Sequence, residues 1–481
     1  MENLKNKTAK GIAWGALNSG ATQLLNLVFG IFLGRLLTTE DYGLVALITI
    51  FTALAGCLQS AGFSQALANL KTPTREDYNA VAWFNLLVGG SIYVLLFFAS
   101  PLIAQFFRQP LLTDLSRVAF LAIPLSAAGI VPSAKLWIEL RNREQAVSSV
   151  IALFLSGCLG VALALGGYGY WSLVWQQLSF ITLGSTLRYW FTRWCPTLPV
   201  SFRPIRSMFR FSSKLLLTNM LTILSQHLLT FIFGKLLPVS SVGLWGQANK
   251  WNTMGSAFVS NTMSQVAQPV LANAVGEAGR QERVFRKMLR FTSFVSFPLM
   301  FGFSLISHEF IMLTIGPHWE RAAGLLGVLC IGGAFAPLHI LYQNFVISRG
   351  RSGINLVCIT LQIVVGTAVT LAFASLGIEA MVWAYSMFLV AFTVCWHMAL
   401  RRITPISLLH AAADTLPFAA VAAASMVVAA FAASWTDSLW LRLAIHIATA
   451  AALYIAAMRL LNVVTFRESV DFLLKRKAQG N

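Results

Sequence analysis

The chain has 481 residues, of which 57% are hydrophobic, 12% aromatic and only 11% charged, against roughly 45–50% apolar and about 25% charged in an ordinary soluble domain. Such a composition excludes a soluble protein, and at about 20 residues per transmembrane helix a dozen or more spans would consume most of the chain and leave no separate head for chemistry. The 35 Lys and Arg against 17 Asp and Glu leave +18, which in a soluble protein would suggest nucleic acid but here asks which membrane face holds the excess.

Residues 1–10 are basic like a signal peptide. The apolar stretch that follows carries Asn18, Gln23 and Asn26 and ends without a small-residue cleavage site, so it reads as a retained first span. Apolar runs bounded by charge, Gly or Pro then predict fourteen helices, centred near residues 24, 55, 92, 125, 155, 180, 224, 255, 299, 333, 365, 388, 425 and 449, joined by short loops. The fold class is therefore all-α, a polytopic membrane protein. Six cysteines (Cys57, Cys158, Cys195, Cys330, Cys358, Cys395) show no zinc or redox spacing and read as small core residues. Gly166-Gly167-Tyr168-Gly169 reads as a tight turn.

The charges test this map, because topology follows a positive-inside bias that hydropathy does not use. With the N-terminus in the cytoplasm, 28 of the 35 Lys and Arg fall on the inner side. Arg35, Arg108, Arg117, Lys235, Lys250, Arg321 and Arg442 fall in or beside the outer set, with Glu40, Asp41, Asp114, Glu309, Glu320, Glu379 and Asp437. The outer side is thus neutral, and the whole excess faces an anionic inner leaflet. Nucleic acid is not an expected partner; membrane lipids are.

A shift of 200 residues aligns Gly34-Arg35-Leu36-Leu37 with Gly234-Lys235-Leu236-Leu237 and Gly43-Leu44 with Gly243-Leu244. A shift of 208 pairs Arg141-Asn142-Arg143 with Arg349-Gly350-Arg351. Each copy holds six helices, an even number, so both enter the membrane from the same side and the repeats are parallel. The division predicted is a six-helix bundle over 1–192, an amphipathic basic linker over 193–214, a second bundle over 215–405, two additional helices over 406–463 and a basic tail over 464–481.

Polar residues in a span face the bundle interior or a water-filled cavity. On a helical wheel Asn18, Ser19, Thr22, Gln23 and Asn26 occupy about 140° of the first span, with Gly11, Gly15 and Gly30 in the same sector. In the seventh, Thr218, Asn219, Thr222, Ser225, Gln226 and Thr230 again span about 140°, with His227 beside them. The eighth stacks Gln247, Lys250, Asn261, Gln265 and Gln268 within about 60°. Hydrogen bonding between helices explains single Asn or Gln residues; Lys250 asks for more, since an ammonium inside a span costs at least about 2.5 kcal/mol. Arg35 and Lys235 stand at equivalent helix ends, where snorkelling competes with a cavity role.

Enzyme signatures are missing: there is no P-loop, no HExxH and no GxSxG elbow. No catalytic or metal-binding residue is expected.

Five stretches, GRLLTTEDYGLVAL at 34–47, GFSQAL at 62–67, GGYGYWSLVWQQL at 166–178, GKLLPVSSVGLWGQANK at 234–250 and GPHWERAAGLLGVL at 316–329, resemble the polysaccharide transporters that flip lipid-linked oligosaccharides. The likeness is strongest to the lipopolysaccharide or exopolysaccharide branch of the superfamily that also holds multidrug extruders and lipid II flippases. The resemblance implies a V-shaped pair of bundles around a central cavity, alternating access, and a place in the bacterial inner (cytoplasmic) membrane with both termini in the cytoplasm. It implies a polyprenyl-diphosphate-linked oligosaccharide as substrate and a glycan polymerase or export machinery as a partner. No cofactor is implied beyond a proton or sodium gradient. The seventh span of such proteins often carries an acidic residue where this chain has Gln226 and His227, so a coupling scheme built on a carboxylate there does not carry over.

The cavity residues expected on this reading are Lys250, Arg35, Lys235 and Arg117 for positive potential, with Asn18, Gln23, Asn26, Asn219, Gln226, His227 and Gln247 as lining. A multidrug or cation exporter is the alternative within the superfamily and would want intramembrane carboxylates. A membrane glycan polymerase or ligase would want a large outer loop.

Overall fold

In lipid the backbone finds hydrogen-bond partners only within its own helix, and the apolar runs fold accordingly. The computed structural model describes residues 2–60, 63, 66–67, 70, 73–198, 201–274, 279–468 and 471. Lys71, Lys475, Arg476 and Lys477, and Gly62, Ser64 and Gln65 of the GFSQAL stretch, lie outside these residues. The helices are α1 (Glu2–Leu36), α2 (Thr39–Ser60), α3 (Arg75–Phe107), α4 (Leu112–Ala119), α5 (Ala122–Ile138), α6 (Asn142–Leu165), α7 (Tyr170–Thr192), α8 (Arg203–Leu236) and α9 (Val239–Asn273). Then follow α10 (Arg280–Leu305), α11 (Ser307–Thr314), α12 (Glu320–Gly333), α13 (Ala336–Ser348), α14 (Ser352–Ala372), α15 (Ile378–Arg401), α16 (Leu408–Ala433) and α17 (Leu439–Leu460). No strand occurs among the described residues.

Among the described residues eleven segments are long and apolar enough to cross a membrane, so the chain is a multi-pass membrane protein. The three remaining centres of the sequence map, near 180, 224 and 255, fall on α7, α8 and α9, whose 23, 34 and 35 residues suffice in length but carry more polar side chains. Two further short helices, α4 and α11, stand at matching places in the two repeats. The basic segment read as a linker becomes, from Arg203 onward, the opening turns of α8. The cysteine reading needs correction too: Cys57, Cys330 and Cys358 are buried, whereas Cys158, Cys195 and Cys395 are exposed. Cys158 and Cys395 sit on outward faces of apolar helices, where hydropathy alone does not separate lipid from core.

Contacts divide the chain into two units, Met1–Gly243 and Leu244–Asn481. In the first, α1 seats on α6 through an edge-to-face pair, Phe29 and Phe154, with ring centroids 6.1 Å apart. Gly157 makes room, because a Cβ there would strike the Phe29 ring. Phe231 of α8 stacks on Phe106 at 5.3 Å and meets Phe51 and Phe107 edge-on. A capping box, Thr74 with Asp77, starts α3. In the second unit the interior holds Trp251, Trp319, Trp396, Tyr342, Phe285, Phe297 and Phe345, all fully buried.

The duplication is visible in helix ends: α1 stops at Leu36 and α8 at Leu236, and α2 starts at Thr39 where α9 starts at Val239. Within the first unit a Cβ on Gly43 would overlap the Val239 carbonyl, and one on Gly243 would overlap the Thr39 carbonyl. The two contacts exchange under the 200-residue shift, as a local two-fold demands. Gly43→Ala and Gly243→Ala are each expected to cost about 1–3 kcal/mol by overpacking, read as a lower melting temperature in detergent. Gly20→Ala, with nothing within 4 Å of the added methyl, should melt with the wild type.

Ion pairs give a separate reading of topology. Arg117–Asp114, Arg321–Glu379 and Arg442–Glu309 join members of the outer set. Lys135–Glu139, Arg141–Glu144, Arg286–Asp414, Arg290–Asp414 and Lys287–Glu468 join members of the inner set. In each of these pairs the Lys or Arg meets a carboxylate of its own set.

Candidate functional site

In the first unit the polar sector of α1 splits. Asn18 and Thr22 are half-buried and share the helical stripe of Phe29 and Leu33, which are buried; Gln23 and Asn26 are exposed. Thr22 Oγ1 donates to the Asn18 carbonyl at 2.6 Å, while Asn18 Oδ1 has no hydrogen-bond partner. On α8, Gln226 is exposed and Asn219 and His227 are half-buried.

The cations of this unit differ from one another. Lys235 Nζ donates to the Phe106 carbonyl at 2.8 Å and lies 4.1 Å from the Phe106 ring centroid. That carbonyl belongs to the last turn of α3, where acceptors lack intrahelical donors and a cation is favoured. Lys235 thus closes a helix end, and Arg35, its counterpart on α1, is exposed. Lys235→Ala is expected to lower stability by about 0.3–1 kcal/mol, measured by thermal melts, and to leave transport near wild type. Arg117 sits on α4 with its guanidinium carbon 4.7 Å from the Phe97 ring centroid and Nη1 3.7 Å from Asp114, while its Nε has no partner.

In the second unit the α9 stripe runs from covered to open. Gln247 is 1% exposed and Lys250 half-buried, whereas Asn261, Gln265 and Gln268 are exposed. Lys250 Nζ stands 5.2 Å from the Trp251 ring centroid, and the described residues give it no ion-pair partner. Both ends of the Gln247 amide, the Trp251 indole N–H and Asn252 Oδ1 are buried without hydrogen-bond partners. An unmade hydrogen bond on a buried polar group costs about 1–3 kcal/mol, and the Gln247 amide, one helical turn from Lys250 on the same face of α9, has both ends open to a polar guest, water included. Sequence reasoning missed Trp251 and Asn252, because a tryptophan in an apolar run reads as core; the available signal was their adjacency to Lys250.

Two buried carboxylates were also missed as sites. Asp414 accepts from Arg286 at 2.6 and 3.1 Å and from Arg290 at 2.6 Å. Glu309 lies near Arg442 and His446. Among the described residues no cluster of His, Cys, Asp and Glu could hold a metal ion.

The family model described as "Polysaccharide biosynthesis protein" matches residues 32–324. The chain belongs to this family. Among relatives of the polysaccharide biosynthesis protein, the succinoglycan biosynthesis transport protein ExoT of Rhizobium meliloti is 24% identical over 378 residues, covering 78% of this chain and 76% of that one. Among solved structures, the lipid II flippase MurJ in an inward closed conformation superposes with a TM-score of 0.71 at 14% identity, covering 93% of this chain and 99% of the other. An inward-facing multidrug resistance MATE family transporter follows with 0.64 at 15% identity, covering 79% and 94%. The fold is therefore that of flippases and multidrug transporters alike, and the side chains must decide between them.

Proposed function

We propose that this polysaccharide biosynthesis protein is a flippase that carries polyprenyl-diphosphate-linked oligosaccharide repeat units across the bacterial cytoplasmic membrane by alternating access. It performs no covalent chemistry in this reading, and both termini face the cytoplasm. The observation that carries the proposal is Lys250, half-buried on α9 and, among the described residues, with no carboxylate to neutralise it and beside a buried amide with no partner. An unneutralised ammonium there suits an anion. A drug or cation exporter would need the opposite charge, and the two buried carboxylates among the described residues already face arginines.

The physical task fits these groups. The polyprenyl tail can stay in lipid, so only the diphosphate and its sugars must be shielded through about 30 Å of hydrocarbon. Lys250 offers the diphosphate a point charge. Gln247 offers both a donor and an acceptor to sugar hydroxyls. The fold likeness to a lipid II flippase and the transport function in the relative's name support the reading.

Deleting the gene tests it. Lipid-linked repeat units are expected to accumulate on the inner leaflet. Accumulation on the outer leaflet would instead indicate a polymerase, and unchanged glycan with raised drug sensitivity an exporter.

A further inference from the structure

The two buried carboxylates of the second unit are bonded in opposite ways. Asp414 is saturated by three short hydrogen bonds. Glu309, 3% exposed near the start of α11, has Oε1 3.8 Å from Arg442 Nε and Oε2 3.8 Å from His446 Nδ1. Those separations allow Coulomb attraction but exceed hydrogen-bond length by about 1 Å. Glu309 Oε2 and His446 Nδ1 are both without hydrogen-bond partners. A carboxylate so deeply buried is costly unless hydrogen-bonded, so the two facing atoms left unbonded form a place for a shared proton.

The surroundings fit that role. Arg442 and His446 are one turn apart on α17, and α11 packs along this edge. His446 also lines a cavity of about 530 Å³ among Phe303, Met426, Ile447 and Tyr454. The imidazole thus meets both a buried carboxylate and an otherwise apolar space, on a helix outside the duplicated twelve. The other charges nearby are partly engaged: His308 of α11 lies 3.8 Å from Glu320 of α12, and Arg321 holds Glu379 at 2.6 Å. His318, before α12, and Asp437, between α16 and α17, are further titratable groups in the connections, while Tyr454 and Arg459 of α17, Cys330 of α12, and His410 and Asp414 of α16 lie on the helices themselves.

We propose that Glu309 and His446 form a proton-binding pair that fastens α17 to α11 when occupied. The proton comes from the aqueous phase on the face that holds Glu309 and binds His446 Nδ1. The imidazolium then donates it in a hydrogen bond to Glu309 Oε2, and the gap closes by about 1 Å. Arg442 stays on Oε1 throughout. The pair makes the attachment of the added helices responsive to pH across the range in which histidine changes charge. It stands independently of the glycan substrate, since it needs neither Lys250 nor Gln247.

The full-length protein in lipid nanodiscs, labelled with 15N-histidine, tests the proposal. The His446 resonance is assigned by its loss in His446→Gln. It is expected to titrate between pH 5 and 8 and to show a hydrogen-bonded Nδ1 proton on the acid side. Glu309→Gln should displace the midpoint by about one pH unit or more, while Glu320→Gln should not. A His446 signal that does not change over this range, or one that titrates identically in Glu309→Gln, overturns the proposal. Because nanodisc spectra report folding directly through the other histidines, a misfolded variant is recognised, and Glu309→Asp then serves as the second substitution with the same expected displacement in kind.

Discussion

Replacing Lys250 by alanine is expected to abolish glycan export while leaving the protein inserted and folded. The two outcomes separate because the charge is unfavourable for the membrane helix that carries it: removing the ammonium relieves at least about 2.5 kcal/mol of insertion cost. A lysine kept only for structure would need a partner that benefits from it, and among the described residues Lys250 has only the neighbouring Trp251 ring at 5.2 Å, a contact worth about 0.5–1 kcal/mol when exposed and about 2 kcal/mol when desolvated. Export should therefore fall to background in a complementation assay with expression and melting temperature at or above wild type. Lys250→Arg keeps the charge and should retain part of the activity, whereas Lys250→Gln should not. Full complementation by Lys250→Ala would remove this residue from substrate binding.

The second large effect is expected at Asp414. This carboxylate is 4% exposed, and its two oxygens gather Arg286 and Arg290 of α10 onto α16. Helices added to a duplicated core inherit no partner surface from the repeat, and this clamp, with the Tyr454 hydroxyl donating to the Phe294 carbonyl at 2.9 Å, supplies one. Breaking a buried pair costs about 3–5 kcal/mol, but the arginine side chains are 32% and 44% exposed and water can resolvate them. Asp414→Ala is therefore expected to cost about 1–3 kcal/mol. Thermal melts should place Asp414→Asn between it and the wild type. Protease should cut the 402–407 connection faster in Asp414→Ala. A melting curve superimposable on wild type would show the clamp to be idle.

The frame of the molecule was legible in the sequence because it is periodic. Apolar runs of helical length recur, and the 200-residue shift found in a handful of identities is the shift between the ends of α1 and α8. Side-of-membrane assignment was legible for a similar reason, since it depends on where a charge falls in the alternation and not on its partner. Arg442 and Glu309, 133 positions apart in the chain, were already in one set before they proved to be neighbours. Their pairing, like that of Arg286 with Asp414, was not legible, because contacts between helices distant in sequence leave no periodic trace.

The candidate site shows the same boundary at finer scale. A wheel identifies one face of one helix but not what covers it. The polar sector of α1 is therefore divided between a half-buried side, with Asn18 and Thr22 in line with Phe29, and an exposed side with Gln23 and Asn26. The α9 stripe likewise combines a fully covered Gln247 with an exposed Gln268. Lys235 illustrates the converse, a cation singled out by its position in the repeat, whose ammonium completes the end of α3, a contact the wheel does not show.

Reconstitution measures translocation most directly. Purified protein in liposomes containing a polyprenyl-diphosphate-linked oligosaccharide is exposed to a membrane-impermeant glycosidase that trims only glycans facing outward. The trimmed fraction is predicted to rise beyond the outer-leaflet share in liposomes carrying the wild type, and to stay at that share with Lys250→Ala. An outer-leaflet share that does not change with the wild-type protein, under conditions in which its fold is intact, would contradict the assignment as a flippase.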